Sequence, residues 1–203
     1  MRSVSLTTTE TSGGRSAVGL AELESRTHRI LVLGDAISCL SAIRKLPDVD
    51  VAGELQTPEL GYSAAVIGVA LPDSPGELSV KQNLNLRIDE CMMLVRRFAS
   101  LKHIILVIGA ADGLTGRTAA PRGNLWGTCD SVSQTIQAEV EQRVGAYVIV
   151  TIILAGLCDN PELLAERLID RATQTGVTDA ATVVSWEEIT GDTIGDVGLN
   201  QFL

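Results

Sequence analysis

The cysteines and histidines are the side chains of this chain best suited to bind a metal ion or to act as nucleophiles. A zinc site needs ligands at short spacing, such as a CxxC pair. No such pair occurs among the cysteines, which are Cys39, Cys91, Cys129 and Cys158. Neither His28 nor His103 lies in a recognisable catalytic constellation. We therefore expect no metal site, and we expect all four cysteines to be plain buried or half-buried thiols.

The turn that follows the apolar run 29–33 lies where a phosphate-binding turn would be expected. Gly34, Ser38 and Leu40 follow the spacing Gly-x-x-x-Ser-x-Leu. In a dinucleotide-binding turn, glycines let the backbone approach the pyrophosphate and let the helix pack closely on the strand. Here only the first glycine is present, Leu40 adds bulk, and Asp35 adds a negative charge. The turn therefore predicts that no dinucleotide binds.

The composition narrows the classes of partner. The net charge is -9, and an acidic chain without a basic stripe is a poor candidate for binding nucleic acid. The longest apolar run, 146–157, is shorter than the roughly 18–20 residues of a membrane span, and Thr151 and Gly156 interrupt it. The N-terminus lacks the apolar core of a signal peptide. We expect a cytoplasmic protein that binds neither nucleic acid nor membranes.

Apolar runs and helical periodicity alternate along most of the chain. Runs rich in aliphatic residues predict strands at 29–33, 49–55, 64–71, 103–108, 147–154, 182–186 and 193–197. Helical spacing and stop signals predict helices within 36–46, 79–101, 129–144 and 161–175, and a loop at 114–124. Parallel neighbours need a crossover, so the alternation predicts an α/β fold, a Rossmann-like doubly wound parallel sheet. Residues 1–27, rich in Ser, Thr and Gly, are predicted to be a flexible tail before a single domain, 28–203.

The order of these elements and several short phrases resemble the short-chain dehydrogenase/reductase family. The family has Gly-x-x-x-Gly-x-Gly after its first strand, and a Ser followed by Tyr-x-x-x-Lys at its active site. Aligning the flanks puts Trp126 at the tyrosine, Asp130 at the lysine and Ala110 (or the neighbouring Ala111) at the serine. Tryptophan cannot serve as the proton donor, and aspartate reverses the charge that lowers the tyrosine's pKa. Asn85 falls where the family places a helical asparagine.

Two further features belong to the same comparison. Residues 189–198 resemble the family's closing phrase ITGQxIxVDGG. Only about 30 residues separate the first strand from the strand at 64–71, fewer than the family uses, which implies that about one α/β unit is missing. The resemblance thus implies a degenerate member that has no catalytic residues and binds no cofactor itself. A different Rossmann-like or flavodoxin-like domain is the alternative.

The resemblance implies a non-catalytic subunit of a hetero-oligomeric oxidoreductase, for example a hydroxyacyl-CoA dehydrogenase. A homologous active subunit would then hold NAD(P). Segments 79–101 and 129–144 keep apolar positions at helical spacing, so we expect docking through these helices or through the C-terminal strand. The alternative is a homo-oligomeric module that binds a small ligand in the cleft where the family binds its cofactor. A cofactor-independent enzyme ranks third, because Tyr62 and Tyr147 lie away from the motif.

Overall fold

The computed structural model describes residues 29–52, 61–71, 77–110, 122–156, 158–174 and 181–201. The predicted α/β class is confirmed. The strands are β1 (Ile30–Gly34), β2 (Val49–Val51), β3 (Ala64–Leu71), β4 (His103–Ala110), β5 (Ile149–Leu154) and β6 (Thr182–Ser185). The helices are α1 (Glu77–Arg97), α2 (Arg122–Val144), α3 (Pro161–Thr173), α4 (Trp186–Gly191) and α5 (Ile194–Asn200). The predicted tail and most of the predicted loop at 114–124 lie outside the described residues.

The six strands form one all-parallel sheet in the order β2-β1-β3-β4-β5-β6. The chain leaves β1 towards one edge and returns to build the rest of the sheet on the other side, so the order reverses between β1 and β3. In open α/β sheets ligands bind outside the carboxyl ends of the strands at such a topological switch point. The candidate site is therefore at the ends of β1 and β3, where Gly34 pairs in register with Gly68.

Both faces of the sheet are covered, so that the strands are buried on both sides and have near-continuous apolar sequences. Successive residues of β1 illustrate this: Leu31 and Leu33 belong to the core under α1 and α2, and Ile30 and Val32 belong to the core on the other face. That second core contains residues of α3, α4, α5 and the segment 37–43. The result is a helix–sheet–helix sandwich.

The predicted helix at 36–46 is wrong. The segment contains two short 3-10 turns, Ser38–Leu40 and Ile43–Lys45. Ile37 is extended and offers no side-chain cap, and Leu46 is extended because a residue before proline avoids the helical region. Between these two positions there is little room for an α-helix, which needs several turns to be stable.

The predicted strand at 193–197 is also wrong, because this segment begins helix α5. Thr193 is the N-cap: its Oγ1 accepts a hydrogen bond from the backbone N–H of Asp196 and donates one to the Asp196 carboxylate. A Thr-x-x-Asp phrase is a helix-start signal, and it prevails over the β-branched residues that suggested a strand. The closing phrase that resembled the family's last strand is therefore helical in this chain.

None of the helices in the described ranges combines the length and the apolarity that crossing a membrane requires.

Gly34 lies at a position of the described fold that has no room for a side chain. Its φ is +82°, and a Cβ built on it would overlap with the carbonyl oxygen of Gly68. We predict that Gly34→Ala lowers the free energy of unfolding by more than about 2 kcal/mol, measured by urea denaturation. Gly127 is the matched control, because it lies within α2 and a Cβ there meets nothing within 4 Å. Gly127→Ala should raise stability by about 0.5–1 kcal/mol. Equal effects of the two substitutions would contradict this account of the turn.

Candidate functional site

The carboxyl ends of β1 and β3 meet backbone to backbone. The N–H of Asp35 donates to the carbonyl oxygen of Gly68 at 2.9 Å. A Cβ on Gly68 would overlap with the Asp35 carbonyl, just as one on Gly34 would overlap with Gly68. The two glycines therefore allow the strands to close the floor of the switch-point crevice. This contact positions the Asp35 side chain at the opening of the crevice.

The Asp35 carboxylate is bound by groups from two other elements. Its Oδ2 accepts from the backbone N–H of Ala70 at 3.0 Å and from Nη2 of Arg87, on α1, at 2.8 Å. Nη1 of Arg87 donates to the Glu90 carboxylate at 2.9 Å. Arg87 thus joins two carboxylates at the carboxyl edge of the sheet. We call Asp35, Ala70 N–H, Arg87 and Glu90 the switch-point network.

Arg87 keeps its charge in this network. Burial alone lowers the pKa of an arginine, but the hydrogen bonds and negative charges of Glu90 and Asp35 outweigh burial and raise the pKa of Arg87. The network is partly solvated, with 43% of the Asp35 side chain and 21% of the Arg87 side chain exposed. Arg44 makes a further hydrogen bond to Asp35, because its Nη2 donates to the Asp35 backbone carbonyl at 3.2 Å.

The turn that contains Ser38 and Leu40 lies directly beside this network. Ser38 is exposed at the start of the first 3-10 turn, while Leu40 is fully buried and packs against β3 near Gly68. The N–H groups of Leu40 and Ser41 donate to the carbonyls of Ile37 and Ser38. These amides are used within the turn, and no α-helix begins here whose first N–H groups could point at a phosphate.

The positions aligned with the family's catalytic serine, tyrosine and lysine hold Ala110, Trp126 and Asp130. Ala110 is the last residue of β4 and pairs with Leu71. Trp126 packs against the core under α1 and α2. Asp130 accepts a hydrogen bond from Gln134 one turn later in α2, and Asn85 is exposed on α1. The structure places Trp126 and Leu40 in the cores on opposite faces of the sheet.

The cysteine thiols are the other potentially nucleophilic groups in the described residues. Burial raises the pKa of the Cys91 and Cys129 thiols to about 12 and that of Cys158 to about 11. Three of the four cysteines are buried and one is half-buried, as predicted. Such thiols are poor nucleophiles, since the thiolate is the reactive form. Among the residues that the structure describes, no three His, Cys, Asp or Glu side chains are grouped to hold a metal ion.

The tyrosine and histidine of the described core lie at the amino edge of the sheet, opposite the crevice. Tyr62, just before β3, donates to the Asp50 carboxylate at 2.9 Å, and Arg29 pairs with the same carboxylate at 2.8 Å. His103 is buried at the start of β4, with Nε2 3.0 Å from the carbonyl oxygen of Gln174. These are structural positions rather than parts of a cleft.

The apolar stripes that suggested docking surfaces face the core instead. On α1 and α2 the buried members are Leu84, Cys91, Met92, Val95, Val132, Ile136 and Val140. Ile88 is half-buried and packs against the same core. The stripes therefore serve the core of one chain, and docking of a partner subunit through these helices stays a prediction. Two different apolar residues of α1, Leu86 and Met93, are exposed.

Sequence reasoning noticed Asp35 as a charge at the turn but missed the groups that bind it. Arg87 lies 52 positions further along the chain, and only the fold brings it to the turn. Arg44 was assigned to a helix that does not form. An Arg-x-x-Glu pair on α1, Arg87 and Glu90, is the one local signal, and by itself it is typical of any solvated helix.

Comparison of the chain with models of known protein families, with curated proteins and with solved structures gives no match. The likeness to the dehydrogenase/reductase family therefore depends on the residues quoted above.

The buried Tyr62 hydroxyl gives a prediction for the pH dependence of stability. Burial, with the hydrogen bond to Asp50 and the charge of that carboxylate, raises the pKa of Tyr62 from its ordinary value to about 12. Because the folded-state pKa is the higher one, the contribution to stability is complete below about pH 10 and is lost as pH rises from about 10 to 12. In Tyr62→Phe this decline in the free energy of unfolding should be smaller, as measured by urea denaturation. The control is Tyr147→Phe, which changes a half-exposed tyrosine; an equally steep decline in Tyr62→Phe and wild type would contradict the assignment.

Proposed function

We propose that this chain is a non-catalytic, Rossmann-like subunit that supports an active, homologous oxidoreductase subunit in a hetero-oligomer. The observation that carries the proposal is the switch-point network: the position where this class of fold binds a ligand is taken by the chain's own carboxylate and its donors. The partner would supply the cofactor site and the catalytic residues.

The electrostatics of the crevice support the proposal that this chain does not bind a nucleotide. A pyrophosphate is held at a helix N-terminus by free backbone N–H groups. In this crevice the Ala70 N–H and the Arg87 guanidinium already bind Asp35, and the two nearby carboxylates would repel a phosphate. A bound nucleotide would have to break these contacts and would find only a short 3-10 turn in their place.

The helix α2 supports the absence of catalysis in the same way. Trp126 offers only an indole N–H, which is a hydrogen-bond donor and not a useful acid. The Asp130 carboxylate is bonded within its own helix, and its charge is opposite to that of the lysine that the family uses. This chain has the packed sheet and helices of the fold, but its residues at positions 126 and 130 differ from the family's tyrosine and lysine. Such a chain is suited to support another subunit.

Co-purification and reconstitution test this proposal. We predict that the full-length chain, tagged and isolated from its native source, brings down a homologous oxidoreductase with an intact glycine-rich turn and an intact Ser, Tyr and Lys. Removing this chain should reduce the partner's NAD(P)-dependent turnover at least about tenfold, a loss of about 1.4 kcal/mol in transition-state stabilisation. Adding the chain back should restore it, and a mock-tagged preparation is the control. A partner that is fully active alone, or a chain that is isolated without one, would contradict the proposal and favour a ligand-binding module.

A further inference from the structure

Strand β6 is the last strand of the sheet among the residues that the structure describes, and it pairs with β5 on one side. The outer side of such a strand carries backbone N–H and C=O groups that can pair with a strand of another molecule. Natural proteins cover or block these groups, because an open edge lets sheets extend between molecules. The bonds of the outer backbone groups of β6 therefore decide whether this edge is open.

Two side chains of the chain itself bond to this edge. Nε2 of Gln201 donates to the backbone carbonyl oxygen of Val183 at 2.8 Å. Oε2 of Glu188 accepts from the backbone N–H of Ser185 at 2.7 Å. Val183 and Ser185 are two positions apart, and alternate residues of a strand direct their backbone groups to the same side. The amide donor and the carboxylate acceptor therefore take the places of the N–H and C=O that a neighbouring strand would present.

Helix α5 holds Gln201 in position. Gln201 is the C-cap of α5, and its backbone N–H donates to the carbonyl oxygen of Gly198 at 3.3 Å. The helix lies close against β6, because a Cβ built on Gly198 would be only 3.2 Å from Cγ2 of Thr182. At the other end of the helix, the Thr193 side chain caps the first turn. The bond from Gln201 to the strand thus depends on a short helix that is fixed at both ends.

The Glu188 carboxylate is held by a different element. Ser185 is the N-cap of α4, and Glu188 completes a capping box in which Oε2 also accepts from Oγ of Ser185 at 2.8 Å. A capping box by itself accounts for the bond to the Ser185 N–H. It does not account for Gln201, which belongs to another helix and reaches a residue 18 positions away. Two separate elements thus supply complementary bonds to one strand edge.

We propose that Gln201 and Glu188 form an autoinhibitory contact, the edge guard, which stops this chain from extending its sheet with a strand of another molecule. Main-chain hydrogen bonds are what give strand addition its affinity. While the edge guard is in place, the Val183 carbonyl and the Ser185 N–H are already bonded. Displacement of α5 releases the first of these groups. This helix has seven residues, and so short a helix is stable only while it is packed.

The composition of β6 makes protection of its edge necessary. Thr182, Val183 and Val184 are three consecutive β-branched residues, and the strand contains neither a charged residue nor a proline. Such a segment has high β-propensity and pairs readily when its edge is exposed. The inference goes beyond the proposed function and does not depend on it, because the edge guard acts on this chain's own strand whether or not an oxidoreductase subunit binds elsewhere.

The test combines amide hydrogen exchange with sedimentation velocity on the purified full-length chain, and circular dichroism confirms folding. In Glu188→Ala the Ser185 amide should exchange at least about tenfold faster, because its acceptor is gone. The double variant Gln201→Ala, Glu188→Ala should self-associate at a concentration at least about tenfold below that of wild type. Glu188→Gln keeps an acceptor oxygen and should behave as wild type. Asn200→Ala with Glu166→Ala, two exposed positions of α5 and α3, is the matched control and should also leave sedimentation unchanged.

Two outcomes would overturn the inference. One is a folded double variant that sediments as wild type does at every concentration, which would reduce the two side chains to ordinary helix caps. The other is equal self-association of the matched control, which would assign the effect to a general loss of surface polarity. If the double variant does not fold, the single variant Gln201→Ala decides, since it removes one of the two bonds and should self-associate at a concentration between those of wild type and control-corrected aggregation onset. Failure to find an oxidoreductase subunit would leave these results unchanged, so the two proposals fail separately.

Discussion

The contact between the ends of β1 and β3 is the constraint on which the crevice depends. Gly34 and Gly68 let the two backbones approach so closely that neither position has room for a Cβ. The close approach puts Asp35 directly over the Ala70 N–H and within reach of Arg87. The backbone contact therefore positions the Asp35 carboxylate, and this carboxylate links the end of β1 to β3 and α1. In the described part of the switch point, where an open α/β sheet ordinarily binds a ligand, these groups bond to one another.

The same constraint explains what covers the sheet on the other side of β1. A dinucleotide-binding fold leads from the glycine turn directly into a helix. In this chain the segment 38–45 forms only short 3-10 turns, and Leu40 occupies the space beside Gly68. Helices α3 to α5 complete that face. The 3-10 turns in place of an α-helix and the packing of Leu40 beside Gly68 thus belong to one connection.

Most of the fold could be predicted from the sequence, because the strands are buried on both faces and appear as aliphatic runs, and the long helices have clear periodicity and stop signals. The two failures have local physical causes: extended residues before Ser38 and at Leu46 exclude a helix, and the Thr193 cap starts one where β-branched residues suggested a strand. The candidate site was only half predictable. Asp35 could be noticed beside the turn, but its ion pair with Arg87 joins residues 52 positions apart and depends on the fold. Helical spacing also could not distinguish a core stripe from a docking face, since both have the same period.

The central claim, that the switch-point crevice is closed by the chain's own groups, is tested most directly by titrating the purified full-length chain with NADH and NADPH in a calorimeter. The account predicts no saturable binding at nucleotide concentrations up to several hundred micromolar, because Asp35 holds the donors that a pyrophosphate would need. A dissociation constant at or below about 100 µM, equivalent to about -5.5 kcal/mol, would contradict it and would show that a nucleotide displaces the Asp35 carboxylate.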